Sequence, residues 1–363
     1  MKEESSVNIE KVELYRLKVP LKRPYKIATA EIKAFDCTIV VLQAEDREGL
    51  GEAMSDVQGY FWEAPEEVWQ FAREKGEQIS GLTLSQARQY ISGFTATQPC
   101  ATTPFLTALE ALSGSPILTP PSETQFVPMV GILQATEREE IEREVKEFII
   151  QGYETVKIKV GFDADKDICK VRMAQEAIQG KAVIRLDANQ GYNLPQAAKF
   201  VKNIDPRDIE FLEQPFKENE WEAMEELSKL SSVPLGLDES IYGMESVEKA
   251  RKLKCASFVK FKLMKISSAE TLAEHIGKSK DYGFRVILGN GAAGEISCYH
   301  EALVASKMST RAGEMNGFLK QRESILVESL KTQGGKILLE PNFLVKLDAH
   351  KVDKYAIDRQ IFG

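Results

Sequence analysis

Five charged residues recur along the second half of this chain at almost constant spacing, each closing a short apolar run. Lys159 closes TVKIK, Asp187 closes AVIRLD, Glu213 closes IEFLE, Asp238 closes PLGLD and Lys262 closes FVKFK. The steps are 28, 26, 25 and 24 residues, and two later runs keep the rhythm: VIL before Gly289 and the segment before Glu314. A period of about 25 residues accommodates one strand, one helix and two connections, the repeat of a (β/α) barrel. Such barrels build their active sites from groups at the C-terminal ends of successive strands. The pattern therefore predicts an α/β enzyme with a charged site.

The chain has 363 residues, enough for one barrel of roughly 250 residues and a smaller domain. A net charge of −8 without a basic face excludes a nucleic-acid partner from the expectation. The five cysteines, Cys37, Cys100, Cys169, Cys255 and Cys298, are scattered without a C-x-x-C, so neither a disulfide framework nor a zinc site is expected. The start, MKEESSVNIE, has no apolar core of a signal segment, and no run of about 18 apolar residues occurs. The expectation is a reduced, cytoplasmic enzyme without a membrane partner.

Residues 8–55 read as β-rich, with a turn at Glu48-Gly49, and residues 65–112 as helical. The Pro- and Ser-rich stretch 113–124 reads as a linker, and FVPMVGIL (126–133) as the first barrel strand. Ile141, Val145, Phe148 and Ile149 fall on one helical face that Gly152 ends. LPQAAKFVKNI, WEAMEELSKL, ESVEKARKL and AETLAEHIGK supply later helices, and KILLEPNFLVKLD reads as strand returning to the first domain.

Strand side chains two apart share a face, so Lys157 points with Lys159 and Lys260 with Lys262. Three carboxylates on consecutive strands suit a hard divalent cation such as Mg²⁺, which takes about six oxygens. Lysines on strands 2 and 6 flank them. A substrate carboxylate on the metal would place its α-carbon between two amines. Removing the α-proton puts a second negative charge on that carboxylate, and a metal stabilises the resulting ene-diolate. One amine acting as base and the other as acid would invert the stereocentre. If Arg185 also faces inward, Lys157, Lys159, Arg185, Lys260, Lys262 and Mg²⁺ together outweigh the three acids, and the lysine pKa values are expected to fall. Lys254 and Lys265 read as surface charges, and His275, His300 and His350 lie at no strand end, which argues against a His–Asp dyad.

Gly289-Asn290-Gly291-Ala292-Ala293-Gly294 reads G-x-G-x-x-G between a strand and a helix. It falls at the seventh beat, with too little chain left for a doubly wound dinucleotide domain. It reads instead as a tight strand-to-helix turn, or as backbone N–H groups at a helix start that hold a polar or anionic substrate group.

The motifs K-x-K (Lys157, Lys159), LDANQGY (Asp187, Asn189), EFLEQP (Glu213), LDES (Asp238, Glu239) and FKLMK (Lys262) resemble the enolase superfamily in its muconate-lactonizing subgroup. AEDREGLGEA in the first domain and LVKLD near the end fit as well. A lysine or histidine base working with Mg²⁺ is a property of that superfamily. The resemblance implies a modified (β/α)7β barrel capped by an α+β domain. It divides the chain into a capping domain (1–124), a barrel (125–335) and a segment returning to the cap (336–363). It implies Mg²⁺ on Asp187, Glu213 and Asp238, Lys159 and Lys262 as the acid/base pair, and Lys157 as a tuning group. No strand-7 histidine is present, unlike the mandelate racemase subgroup.

In this family two capping loops close the substrate side, here around Lys22–Ala30 and Met54–Tyr60, with Tyr25 and Met54 as contacts. Dipeptide epimerases carry Asp-x-Asp on strand 8 for the substrate ammonium. This chain has Glu314-Met315-Asn316, which removes one charge. Asn189, Gly289, Asn290, Gly291, Glu314 and Asn316 complete the expected substrate contacts. The reaction implied is Mg²⁺-dependent racemisation or epimerisation of a small carboxylate, such as an N-acyl amino acid or dipeptide. A cycloisomerase or syn-dehydratase would use the same site. A Schiff-base aldolase on Lys262 would leave the acids idle, and a non-catalytic binding protein is the remaining alternative. A homo-oligomer is compatible with all of these.

Overall fold

The computed structural model describes residues 7–26, 31–55, 62–308 and 310–363. Long alternating strands near the start build an antiparallel sheet: β1 (Lys11–Lys26), β2 (Glu31–Ala44) and β3 (Arg47–Met54). The last strand of the chain, Ala356–Phe362, pairs with the free edge of β1. The turn between β2 and β3 falls at Glu45 and Asp46 rather than at Glu48-Gly49. Glu45 takes a left-handed φ of 54°, while Glu48 and Gly49 pair with Gln43 and Leu42. Gly49 serves close packing instead: a Cβ there would lie 2.1 Å from Ala108 O. That helix, Pro99–Leu112, follows α1 (Pro65–Ile79) and α2 (Leu84–Ser92) and is called α3. Almost all of it is buried, as its apolar sequence CATTPFLTALEAL requires.

The regular spacing becomes a parallel sheet. After β4 (Gln125–Pro128) come β5 (Gly131–Leu133), β6 (Thr155–Lys159), β7 (Val183–Asp187), β8 (Ile209–Glu213), β9 (Leu235–Leu237), β10 (Phe258–Phe261) and β11 (Arg285–Leu288). Strands β5 to β11 pair in sequence order, and all these pairings are parallel. The connecting helices are α4 (Arg138–Ile150), α5 (Ala164–Ile178), α6 (Leu194–Asn203), α7 (Trp221–Leu230), α8 (Met244–Leu253), the short α9 (Leu263–Ile266), α10 (Ala269–Asp281) and α11 (Glu295–Met308). Helix α4 buries Ile141 and Val145. It ends with Gly152 at φ 81°, whose N–H reaches Ile149 O while Tyr153 N–H reaches Phe148 O.

The chain after α11 joins the two sheet edges. Arg311 and Glu314 N–H groups donate to Val286 and Leu288 carbonyls, while Gly313 N–H donates to Pro128 O and accepts from Val130 N–H through its own carbonyl. The first strand is therefore in two pieces, not one run over 126–133. Residues 125–128 pair antiparallel with β13 (Lys336–Leu339), itself paired with β12 (Lys331–Gln333), and only Gly131–Leu133 enters the parallel sheet. KILLEPNFLVKLD accordingly begins beside β4, and the return to the first sheet waits until Ala356–Phe362 (β14), after α12 (Ala349–Tyr355).

Inside the parallel sheet, Phe211 stacks on Phe258 at 4.4 Å beside Ile287, an apolar floor separate from the main core. Two residues further along the same strands stand Glu213 and Lys260, so the charged groups lie directly above this floor. Buried carboxylates fasten the first sheet and α3 to the barrel helices. Glu52 on β3 accepts from Ser297 N–H at 2.9 Å at the start of α11, and Glu110 on α3 accepts from Ala269 N–H at 2.9 Å at the start of α10. Each supplies a hydrogen-bond acceptor where a helix presents free N–H groups. Among the described residues, no helix is long and apolar enough to cross a membrane.

Candidate active site

The C-terminal ends of β6 to β10 carry Lys157 and Lys159, Asp187, Glu213, Asp238, then Lys260 and Lys262 in spatial order. The sequence-predicted acids and lysines therefore converge. Asp187, Glu213, Asp238, Lys157, Lys260 and Lys262 are almost fully buried, while the Lys159 side chain keeps 24% of its surface exposed. Lys159 Nζ lies 2.6 Å from Asp187 Oδ2 and 2.5 Å from Asn189 Oδ1. On the far flank, Lys262 Nζ lies 2.6 Å from Asp238 Oδ1. Between them Lys157 Nζ bridges Asp187 Oδ2 (2.7 Å) and Glu213 Oε2 (3.1 Å), and Lys260 Nζ bridges Glu213 Oε1 (3.0 Å) and Asp238 Oδ2 (3.1 Å).

Glu314, from the segment that joins the sheet edges, contacts both bridging lysines: Lys157, and Lys260 at 2.7 Å. Both contacts are made through Oε1, so two lysines already share the charge expected to meet a substrate ammonium. Arg185 leaves the cluster as well. Its Nε pairs with Glu210 Oε2 at 2.6 Å, and Nη1 donates to Ala312 O at the opposite end of the strands. Strand parity alone could not say that Glu210 would meet it there. Lys265 is buried, not a surface charge. Its Nζ donates to the carbonyls of Asp238, Glu239 and Ile241 at 3.1–3.4 Å and lies 4.2 Å above the Tyr242 ring. Lys254 is exposed, as expected, with a left-handed φ of 53° ending α8.

The expected fall in lysine pKa counts the charge of Mg²⁺; with the acids free of a metal, the balance at Lys157, Lys159 and Lys260 goes the other way. Burial alone would lower each of them, but the neighbouring carboxylates, led by Asp187 for Lys157 and Lys159 and by Asp238 for Lys260, hold all three above the usual lysine value. Glu314 adds a fourth carboxylate to the cluster, and Arg185 pairs with Glu210 outside it. For the acids, burial favours the neutral form. Lys157 and Lys159 overcome this at Asp187 and hold it at about 2, and Lys260 and Lys262 hold Asp238 well below the carboxylate range. Glu213 is the exception: burial, then repulsion from Asp187, pushes it up to about 7.

Asn189 sits at φ 40° and joins the two ends of the site. Its N–H donates to Asp187 Oδ1 at 2.9 Å, and its Nδ2 donates to Glu239 Oε1 at 3.1 Å. Gly289 takes φ 113°, and a Cβ there would lie 2.8 Å from Met315 N, so the turn needs glycine. Asn290 Oδ1 accepts from Ala292 N–H at 3.0 Å, while its buried Nδ2 has no hydrogen-bond partner among the described residues. Within the helix beyond them, the Ser297 N–H already donates to Glu52. Asn316 donates through Nδ2 to Val130 O at 3.3 Å, and Lys320, which sequence reasoning passed over, donates to Asn316 Oδ1 at 3.0 Å. Met54 is buried, its N–H on Met264 Sδ at 3.1 Å, and Tyr25 lies under Lys320. Of the two expected closing loops, residues 27–30 and 56–60 lie outside the described residues.

The donor set suits a hard cation. Glu213 Oε2 and Asp238 Oδ1 are buried and accept no hydrogen bond, although an ammonium lies within ion-pair range of each. As they stand, the carboxylates are gathered around lysine nitrogens. Among the described residues no three acidic, histidine or cysteine side chains surround one point as a ready metal cage. A metal held by all three acids would have to take over contacts now made by Lys157 and Lys260.

A parallel sheet closed around charged strand ends, under an antiparallel cap, defines a class that comparison with known proteins makes specific. Residues 140–342, more than half of the chain, match the enolase C-terminal domain-like family. The chain belongs to that family, within the enolase superfamily. It is 22% identical to the N-succinyl-L-Arg/Lys racemase of Bacillus cereus over 337 residues, covering 88% of this chain and 90% of that protein. It is 28% identical to the L-Ala-D/L-Glu epimerase of Clostridium acetobutylicum over 161 residues, 44% of this chain and 45% of that protein. The fold matches the dipeptide epimerase of Cytophaga hutchinsonii complexed with Mg and D-Ala-L-Val, with a TM-score of 0.86 and 18% identity, over 98% of this chain and 100% of that one.

Proposed function

We propose that this chain is a Mg²⁺-dependent racemase or epimerase that removes and returns the proton α to a substrate carboxylate. The observation that carries the proposal is the placement of two lysines on opposite flanks of the acid trio, Lys159 beside Asp187 and Lys262 beside Asp238. The joined sheet edges support a modified (β/α)7β barrel as the catalytic domain, residues 125–335, with 1–124 and 336–363 forming the cap. Asp187, Glu213 and Asp238 would hold the ion, and a relative's structure with Mg supports that choice. When bound, Mg²⁺ would lower the cost of the second negative charge that builds on the carboxylate as the proton leaves.

The residues do the rest. Lys159 and Lys262 face the α-carbon from either side, one accepting its proton and the other supplying one to the opposite face. Today each lysine is tied to an acid. Engagement of those acids by a cation would release the pull that raises Lys159 and make it a better base. Lys157 and Lys260 balance the charge of Glu213 and Glu314 beneath. With Glu314 facing two lysines and Asn316 neutral, the strand-8 edge offers a free ammonium little compensation, which favours N-acylated over free amino acids. The racemase and epimerase relatives support the same class.

The test is α-deuteration in D₂O. Lys159→Ala and Lys262→Ala should each abolish inversion while leaving exchange from a single, opposite enantiomer. Normal racemisation by both variants would overturn the assignment. A cycloisomerase or syn-dehydratase needs only one base, and would show product formation without α-deuterium in recovered substrate of both configurations.

A further inference from the structure

We propose that Glu301, a buried carboxylate on α11, is a positioning residue for Lys262: it holds the peptide that follows this lysine at the point where the parallel sheet no longer does. This rests on the racemase reading, in which Lys262 serves one face of the substrate, and it has a second readout that is independent of turnover.

Helix α11 is buried from Glu295 to Ala305, so an ionisable side chain in its middle costs stability unless it is hydrogen-bonded. Glu301 is 1% exposed, and its Oε1 accepts from Leu263 N–H at 3.0 Å. That N–H belongs to the peptide joining Lys262 to Leu263. The carbonyl of the same peptide accepts from Lys265 N–H at 2.9 Å. A peptide unit is planar, so a bond at each of its two ends sets its orientation, and with it the direction in which the Lys262 side chain leaves the backbone.

The two flanks of the site are alike in register but are held differently. Lys159 pairs with Asp187 in the sheet, and Asp187 O accepts the next donor along, Val160 N–H, at 2.9 Å. Lys262 comes one residue after the last ladder pair, Phe261 with Leu288. Gly289 N–H donates to Phe261 O at 3.1 Å, so a regular parallel ladder would next take Leu263 N–H to Gly289 O. At Gly289 the chain turns away with φ 113°, and Glu301 takes that donor instead. A side chain has thus replaced one rung of the sheet beside Lys262, whereas the backbone keeps the matching rung beside Lys159.

Burial, the largest influence, pushes Glu301 up to about 7, opposed by the Leu263 N–H and then by Lys260 and Lys262. The positioning role does not depend on that titration. Oε2 has no hydrogen-bond partner among the described residues, so it can carry a proton while Oε1 still accepts. The backbone hold matters most when Asp238 turns to a cation. Lys262 Nζ then loses the tie to Asp238 Oδ1 at 2.6 Å, and its aim depends on the peptide behind it.

The test is α-deuteration of N-acetyl amino acids in D₂O with Mg²⁺, followed separately from each enantiomer. The enantiomer served by Lys262 is the one whose exchange Lys262→Ala abolishes. Glu301→Leu, of similar size, should slow exchange from that enantiomer by about tenfold or more and leave the other within about twofold. Glu301→Gln, which keeps an acceptor, should restore most of the loss. Equal losses from both enantiomers, as a merely structural role would give, or no loss from either, would overturn the proposal. Amide hydrogen exchange by NMR, without substrate, gives the second readout. In the wild type Leu263 N–H should be protected as Val160 N–H is, and Glu301→Leu should speed the former about tenfold or more while sparing the latter. A Leu263 amide that exchanges freely in the wild type would overturn the proposal whether or not the variants fold. Protected amides without α-deuteration by the wild type would count against the racemase reading and leave the hold on the peptide standing.

Discussion

Replacing Lys157 by methionine tests whether the charged cluster is held as described. Methionine keeps much of the side-chain volume and removes the ammonium that contacts Asp187 at 2.7 Å, Glu213 at 3.1 Å, and Glu314. Removing one partner of a buried ion pair typically costs about 3–5 kcal/mol, because the remaining charge stays buried. Here each acid keeps another cation: Asp187 keeps Lys159 at 2.6 Å, and Glu213 and Glu314 keep Lys260 at 3.0 and 2.7 Å. The loss should therefore fall at the low end, about 3 kcal/mol, at pH 8.

It should also depend on pH. Glu213 stands at about 7 in the folded protein, raised from 4.5. Losing Lys157 raises it further, so the folded variant binds a proton that the unfolded chain releases above pH 4.5. A raised folded pKa gives stability at low pH that is lost as pH climbs through it. The deficit of Lys157→Met should consequently be smaller at pH 5.5 than at pH 8. Urea unfolding of chelator-treated protein, followed by circular dichroism at both pH values, measures the difference. A loss under about 1 kcal/mol at pH 8, or an equal loss at both, would refute the account of Lys157 as a shared buried counter-ion.

Two further outcomes are expected. Asp238→Asn should weaken Mg²⁺ binding by at least about tenfold, measured by calorimetry, and unchanged affinity would remove Asp238 from the proposed ligand set. Glu52, buried at the start of α11 with Oε1 lacking a partner, is pushed up to about 7 from 4.5, chiefly by burial. Its contribution to stability declines as pH rises between those values, so Glu52→Gln should flatten that decline. The variant should be more stable than wild type at pH 8 by about 1–3 kcal/mol, read from denaturation midpoints.

The periodic strand ends made the parallel sheet and its charged rim legible in the sequence. A (β/α) repeat forces successive strands to lie side by side and point the same way. One residue per strand end, at a constant phase, is therefore enough to gather Lys159, Asp187, Glu213, Asp238 and Lys262. Two-residue parity added Lys157 and Lys260. The helices after these strands could be read for the same reason, because their apolar spacing and caps are local.

Contacts between distant segments were not legible. Arg185 had the right parity but met Glu210 at the other end of the strands. Glu314 looked like a substrate group, yet the closing segment set it on Lys157 and Lys260. Lys265 looked like a surface charge until the turn after Asp238 folded over it. Glu52 filled a helix start that lies 245 residues further along the chain. Strand and helix periodicity, which local backbone geometry fixes, told which residues face the same way. The charge each residue feels depends on long-range neighbours brought in by sheet closure and by the cap, and only the tertiary structure decided those.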